Sequence, residues 1–372
     1  MSTNLSMKAP KILAFLLPQF HRIPENDQWW GDGFTEWTNV KKARPLFTGH
    51  AQPRVPLANN YYDLTDAATQ EWQAELARQH GLHGFCYYHY WFNGKQLLEQ
   101  PFNSVLNRGK PDFPFCLAWA NEPWTRTWDG GDSHVLMRQT YGGPVQWEQH
   151  FSYLLRAFQD PRYIRVEGKP VFLIYRTESI SVCPEMLACW RKLATQNGLP
   201  GLHVVSMLTY FEGDNRKSLF DGFAEFEPMF SMMRLPFLAN KVEQLFNKWT
   251  RLLWQHVGTA PNAPQSRDYA TLWRAISRRK LPQGHYPGAF VDWDNTPRKG
   301  FNKSWVMRNV SLSVFASGFA AQYRKACKAN AEFLFVNAWN EWAEGTYLEP
   351  DEARGAAFLE VIARVSDSIN RQ

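Results

Sequence analysis

The stretch Phe333–Asp351, F-L-F-V-N-A-W-N-E-W-A-E-G-T-Y-L-E-P-D, begins as a short apolar run of strand type. It then opens into Asn337, Asn340, Glu341, Glu344 and Glu349, interleaved with Trp339, Trp342 and Tyr347. A strand that runs out into carboxylates and aromatic rings is what the mouth of a sugar-cleaving (β/α)8 barrel requires. The acids give and take protons, and the rings offer flat apolar faces to pyranose C–H groups. Two glutamates three residues apart are ordinarily solvated surface groups. Here they follow a strand of buried type and sit among tryptophans, which marks Glu341 and Glu344 as candidate catalytic carboxylates.

Seven more apolar, β-rich runs precede this one: Ile12–Leu17, Gly84–Tyr88, Phe115–Trp119, Val171–Tyr175, His203–Leu208, Gly222–Phe226 and Ala289–Trp293; the run Phe333–Ala338 is the eighth. Helices are predicted between them at Asp66–His80, Val145–Phe158, Pro184–Asn197 and Trp305–Asn330. Alternating strand and helix implies a parallel sheet with crossover helices, and eight repeats imply closure. The expected fold class is α/β, a (β/α)8 TIM-like barrel with loop insertions over the C-terminal mouth. The fallback, a doubly wound open sheet, lacks a glycine-rich phosphate loop after its first strand.

Polar and aromatic residues gather where these strands end. Gln19 and His21 follow the first, and Tyr88, His89, Tyr90 and Trp91 the second. Trp119, Asn121, Glu122 and Trp124 follow the third, Trp293 and Asp294 the seventh, and Asn337, Trp339, Trp342 and Tyr347 the eighth. In a (β/α)8 barrel all C-terminal strand ends face one mouth, so these scattered residues are expected to line one substrate cleft. His89 taken singly also reads as a hydrogen-bonded core histidine.

The 372 residues and 44% hydrophobic content suit one decorated barrel spanning 1–372, and 20% charge argues against long disordered tails. Aromatic content is high at 15%, with 17 Trp, many beside polar residues, as a ring-lined wet cleft would need. Five cysteines, Cys86, Cys116, Cys183, Cys189 and Cys327, form no C-x-x-C pair and suit a reducing compartment. Ile12–Leu17 is too short for a signal-peptide core, and no run approaches the roughly 18 apolar residues of a membrane span. The expectation is a cytoplasmic protein without a transmembrane segment.

Two insertions are expected. Residues 24–63 read as a long ordered loop over the mouth. Residues 232–284 hold nine basic residues against Glu243 and Asp268, a net +7 in a chain whose total is +6. The excess therefore belongs to one region and is not a general nucleic-acid signature. Within it Val242, Leu245, Phe246, Trp249, Leu252, Leu253 and Val257 follow helical spacing, with Lys241, Lys248 and Arg251 off that stripe. Such a helix either packs on its own domain or makes peripheral contact with a membrane or a lipid-linked glycan.

No H-E-x-x-H, zinc-spaced His/Cys cluster or G-x-S-x-G elbow is present. Asp292-Trp293-Asp294 matches the loose D-x-D pattern with which many nucleotide-sugar glycosyltransferases hold a divalent metal. The leading expectation nevertheless includes no metal and no cofactor.

The strings L-P-Q-F-H-R-I-P-E-N-D, W-W-G-D-G-F-T-E-W-T-N-V, G-F-C-Y-Y-H-Y-W-F, L-A-W-A-N-E-P-W-T-R, D-W-D-N-T-P-R and N-A-W-N-E-W-A-E-G-T-Y-L-E-P-D resemble the WbsX-like proteins of bacterial surface-polysaccharide loci. The resemblance runs from about Lys11 to about Ala363. Those proteins are often described as glycosyltransferases, yet they are similar to the family 99 glycoside hydrolases, the endo-α-mannosidases. The resemblance to the hydrolases, carried by barrel order and the E-W-x-E element, implies a retaining mechanism. Glu341 would be the base acting on the sugar's own 2-hydroxyl, and Glu344 the acid/base at the leaving oxygen. Glu344 would then carry a pKa raised by Trp342 or Trp339, with Glu341 kept ionised through Asn337 or Tyr347. The implied substrate is an α-linked, mannose-like oligosaccharide or polysaccharide. The rival expectations are a glycosyltransferase of O-antigen or capsule biosynthesis using Asp292 and Asp294, and a non-catalytic glycan-binding barrel.

Overall fold

Nine short strands lie side by side, all parallel, in the order β7-β6-β5-β4-β3-β2-β1-β9-β8. In chain order they are β1 (Lys11–Leu16), β2 (Gly84–Phe92), β3 (Phe115–Trp119), β4 (Lys169–Ile174), β5 (His203–Leu208), β6 (Gly222–Glu225), β7 (His285–Tyr286), β8 (Gly288–Phe290) and β9 (Phe333–Asn337). The computed structural model describes residues 8–126, 134–210, 214–256 and 264–371. The side chain of Arg251 and those of residues 253–256 and 301–302 lie outside that description, as does Val257.

The two ends of the strand path are neighbours in sequence. Only Pro287 separates β7, which pairs with β6, from β8, which pairs with β9. The seventh barrel strand is thus broken at Pro287, whose missing N–H would interrupt any ladder, and the nearly closed sheet passes through that break. Gly288 is required there: a Cβ on it would lie 1.8 Å from the Glu225 carbonyl oxygen.

The eight expected strands are all present, and their continuous apolar runs are buried on both faces, as parallel strands under helices must be. Helices Ala67–Gln79, Pro144–Phe158 and Cys183–Gln196 occupy the expected intervals. The helix expected over Trp305–Asn330 is instead a strand, Trp305–Arg308, followed by the helix Leu312–Lys328. Asn309, in the left-handed region at φ 58°, turns the chain between them, and Trp305–Arg308 finds a parallel partner in Gln265–Asp268. The mouth segment 24–63 is more regular than a loop, with helices at Pro24–Trp30 and Glu36–Lys42. Pro24 opens the first of these, and the Thr38 hydroxyl accepts the Thr35 N–H at the start of the second.

The helix within 232–284 spans Phe237–His256 and sits on that second, two-stranded sheet. Its polar side faces inward. Glu243 is buried and takes Arg308 at 2.9 Å and the Asp268 N–H at 3.1 Å, while Asn247 bonds the Ser266 backbone in both directions. Of the apolar stripe, Val242, Leu245, Phe246, Trp249 and Leu252 are exposed.

Candidate active site

After β9 the chain makes a tight antiparallel pair, Asn340–Glu341 with Thr346–Tyr347, around the single turn Trp342–Glu344. This pair is locked to the barrel at both ends. Asn340 accepts the Leu17 N–H at 2.7 Å and donates to the Leu17 carbonyl at 3.0 Å, so its side chain stands in for a strand partner of β1. The Asp294 N–H donates to the Glu344 carbonyl at 2.7 Å. Gly345, at φ 69°, closes the turn against Asp294, whose backbone nitrogen lies 2.8 Å from where a Cβ would sit. Backbone geometry alone therefore projects Glu341 and Glu344 into the mouth.

They line a cleft of about 430 Å³ with Tyr88, Tyr90, Tyr175, Trp124, Trp293, Trp305 and Glu122 on its walls and Met229, Met232 and Met233 at one side. Arg298 stands at its floor, carried by the helix Thr296–Lys303 just after the seventh barrel strand. Its guanidinium binds three carboxylates at once: Glu36 at 2.7 Å, Glu344 at 2.7 Å and Glu341 at 3.1 Å. Three buried or half-buried acids around one cation leave the group short of positive charge. Burial first, and then the neighbouring Glu344 and Glu36 charges, push the Glu341 carboxyl up against the opposing pull of Arg298. This corrects the expectation that Glu341 is held ionised by Asn337 or Tyr347. Asn337 donates to the Glu227 carbonyl, and Tyr347 stacks on Trp342 and bonds Asp351.

Of the residues expected in the cleft, Tyr88, Glu122, Trp124, Trp293, Glu341 and Glu344 line it. The others lie behind it. Gln19, His21, Trp119, Asn337 and Trp339 are buried. His89 pairs with His150 at 2.9 Å, and Trp91 stacks flat on His150; burial lowers both histidines, His89 to about 3, so this is a neutral core pair. Asn121 holds the backbone of Arg176. Trp342 donates to Glu349, whose carboxylate also accepts from Tyr62 and Gln73 and braces the turn from below.

Asp294 faces away from the cleft. One of its oxygens accepts from the Thr296 N–H and hydroxyl, and the other meets His50 at 2.8 Å and Gln52 at 2.7 Å. Asp292 accepts the Trp293 N–H on one oxygen, with Arg54 at 2.9 Å and Arg354 at 3.3 Å on the other. All the oxygens a D-x-D metal site would use are taken by protein donors. Among the described residues no group of three or more His, Cys, Asp or Glu could hold a metal ion.

Sequence reasoning missed Arg298, Glu36 and Tyr175; Tyr90, expected at the mouth after the second strand, does line the cleft. Arg298 and Glu36 stand in the strings D-W-D-N-T-P-R and G-F-T-E-W, so the residues were in view and only their convergence was not.

Residues 12–362 match the family model described as Glycosyltransferase WbsX. Two relatives, both named Uncharacterized protein WxcX, from two strains of Xanthomonas campestris pv. campestris, are 37% and 36% identical over 355 residues, 94% of this chain. The chain spans about half the length of these relatives, 48%. Among solved structures it resembles the GH99 endo-alpha-mannosidase of Bacteroides thetaiotaomicron (TM-score 0.57, 13% identity, 97% of each chain). It also resembles a glycoside hydrolase-like protein (TM-score 0.59, 13% identity, 98% of this chain and 97% of that one). At such identities the likeness is one of fold, a (β/α)8 barrel.

Proposed function

The chain belongs to the family described as Glycosyltransferase WbsX, and from that premise we propose that it is a glycan-active enzyme which hydrolyses or transglycosylates an α-linked, mannose-like glycan with retention. The observation that carries this reading is the carboxylate pair Glu341 and Glu344, facing one ring-lined cleft and tied to one arginine. In the proposed mechanism Glu341 takes the proton of the sugar 2-hydroxyl, whose oxygen attacks C1 from within the same ring. Glu344 delivers a proton to the departing glycosidic oxygen; in the second step it takes one from the water that attacks C1, while the C1–O2 bond breaks and Glu341 returns its proton to the 2-oxygen. Substrate assistance of this kind frees the pair from the usual carboxylate-separation rule.

The raised Glu341 supports the role of base. A glutamate at its ordinary pKa of about 4 is weakly driven to take a proton from an alcohol, and burial that destabilises the anion makes it a stronger base. Arg298 opposes that shift, which with its pull included still reaches about 8, and orients both carboxylates, so the base acts through its ionised fraction. Trp305, Tyr88 and Tyr175, each only partly buried on the cleft wall, offer faces for sugar rings.

The test is incubation of the purified protein with a panel of α-mannosyl and related oligosaccharides in EDTA, with Glu341→Gln and Glu344→Gln alongside. Metal-independent cleavage lost in both variants is expected. Sugar transfer that appears only with a nucleotide sugar and Mn²⁺, and survives both substitutions, would overturn the proposal.

A further inference from the structure

The Phe237–His256 helix is mounted inside out. Its polar residues Glu243 and Asn247 grip the two-stranded sheet beneath it, whereas Phe237, Leu238, Val242, Leu245 and Trp249 are 60–76% exposed. The spacing of Leu238, Val242, Leu245 and Trp249 puts them on one side of the helix along about three turns. A contiguous apolar row of this kind on a surface marks an interaction site.

Charge identifies the occupant. The helix carries one acid, Glu243, and that acid is buried against Arg308. Lys241 and Lys248 on the helix and Arg274 and Arg278 on the adjoining helix Tyr269–Arg278 are exposed. Leu238 and Val242 share a groove with Arg274 and Arg278. The face is thus apolar along its crest, with exposed cations on the helix itself and along the flank shared with the Tyr269–Arg278 helix. A second copy laid against it would bring lysine to lysine, whereas an anionic bilayer meets both features, with acyl chains for the crest and headgroup phosphates for the flanks. We propose that this helix face is a docking surface for an anionic lipid bilayer. It lies near the cleft in the chain, since Met233 lines the cleft four residues before Phe237, and Trp305, on the strand that supports the helix, forms a cleft wall. The proposal rests on this surface alone and holds whether or not the cleft cleaves glycans.

Vesicle flotation of the full chain tests it. With vesicles of phosphatidylcholine and phosphatidylglycerol the protein is expected to float. With phosphatidylcholine alone it is expected to stay behind, and added salt should release it from the mixed vesicles. Replacing Leu245 and Trp249 together by Glu should abolish flotation without changing the melting temperature, because both side chains are exposed. Lys241→Ala and Lys248→Ala should each weaken binding about fivefold. Absence of wild-type flotation, or equal flotation of the double glutamate variant, would overturn the proposal. So would a wild-type dimer in sedimentation equilibrium that the same variant turns into monomer, since a second copy would then own the face.

Discussion

Two acidic motifs meet at the barrel mouth, Glu341-Trp342-Ala343-Glu344 and Asp292-Trp293-Asp294, and the fold treats them oppositely. Around the first, Glu36, Glu341 and Glu344 share the one guanidinium of Arg298 and face a cleft. Around the second, Arg54, Arg354, His50, Gln52 and Thr296 surround two aspartates closed off from solvent. The same mouth segment, 24–63, serves both, sending Glu36 to the first and His50, Gln52 and Arg54 to the second. What separates the two groups is the ratio of donors to carboxylates. In the donor-poor group burial pushes the Glu341 carboxyl up, so it keeps an affinity for protons. Where donors abound the carboxylate is pinned and becomes a clamp.

The largest effect should come from the donor-poor side. Glu344→Gln is expected to lower kcat about a thousandfold, since it removes the proton relay at the leaving oxygen while preserving shape. Activated substrates whose leaving groups need no protonation should be partly spared. Its melting temperature should hold or rise, because the cluster sheds a surplus charge. Steady-state kinetics beside thermal melts checks both. If glycan binding is the same in wild type and variant and neither ever turns over substrate, the donor-poor centre is a binding site and the comparison loses its chemical half.

On the donor-rich side the loss should be of stability. Asp292→Asn leaves the largely buried Arg54 and the half-buried Arg354 facing a neutral amide. Breaking one partner out of a buried ionic network costs about 3–5 kcal/mol. Urea unfolding should show that loss, while kcat of the folded fraction stays within a few-fold of wild type. A large loss of kcat without loss of stability would instead return Asp292 to the reaction.

Much of this was legible before any coordinates. The eight strands declared themselves as β-rich apolar runs, because parallel strands covered on both faces leave no room for polar alternation. Glu341 and Glu344 were singled out by the tryptophans around them, and both line the cleft. The failures share one cause. Strand-end position predicts that a side chain is near the mouth, but successive residues of an extended chain point to opposite sides. Tyr88 and Tyr90 line the cleft whereas His89 and Trp91 turn outward to pack on His150. The D-x-D pair, kept only as a rival metal site, could not be settled from the sequence because its donors Arg54 and His50 come from more than two hundred residues earlier, and Arg354 from beyond β9. The apolar row of the Phe237–His256 helix was readable as a stripe, but its outward mounting depends on Glu243 meeting Arg308.

The smallest expected effect is the most direct probe of the contrast, because it asks each centre to respond to pH with opposite sign. Burial alone would raise Asp294, but the His50 hydrogen bond, the Arg54 charge and the Thr296 hydroxyl together bring it down to about 2. An unfolded aspartate titrates near 3.9, so the folded state gains from Asp294 at every pH above that value. The gain drains away as the pH falls toward 2, and amounts to about 2 kcal/mol. Glu341 runs the other way. Its folded pKa is raised, chiefly by burial, so its contribution is complete below the ordinary glutamate range of about 4 and is lost as the pH climbs through the raised value. Melting temperature against pH should therefore fall at both ends. Asp294→Asn should flatten the acid limb alone, at lower stability through the neutral range, and Glu341→Gln should flatten the alkaline limb alone. If one substitution flattens both limbs, the two centres titrate as a single network and their separation by donor count fails. If Glu341→Gln leaves the alkaline limb untouched, Glu341 holds no raised proton affinity, and the argument for it as a strengthened base goes with it.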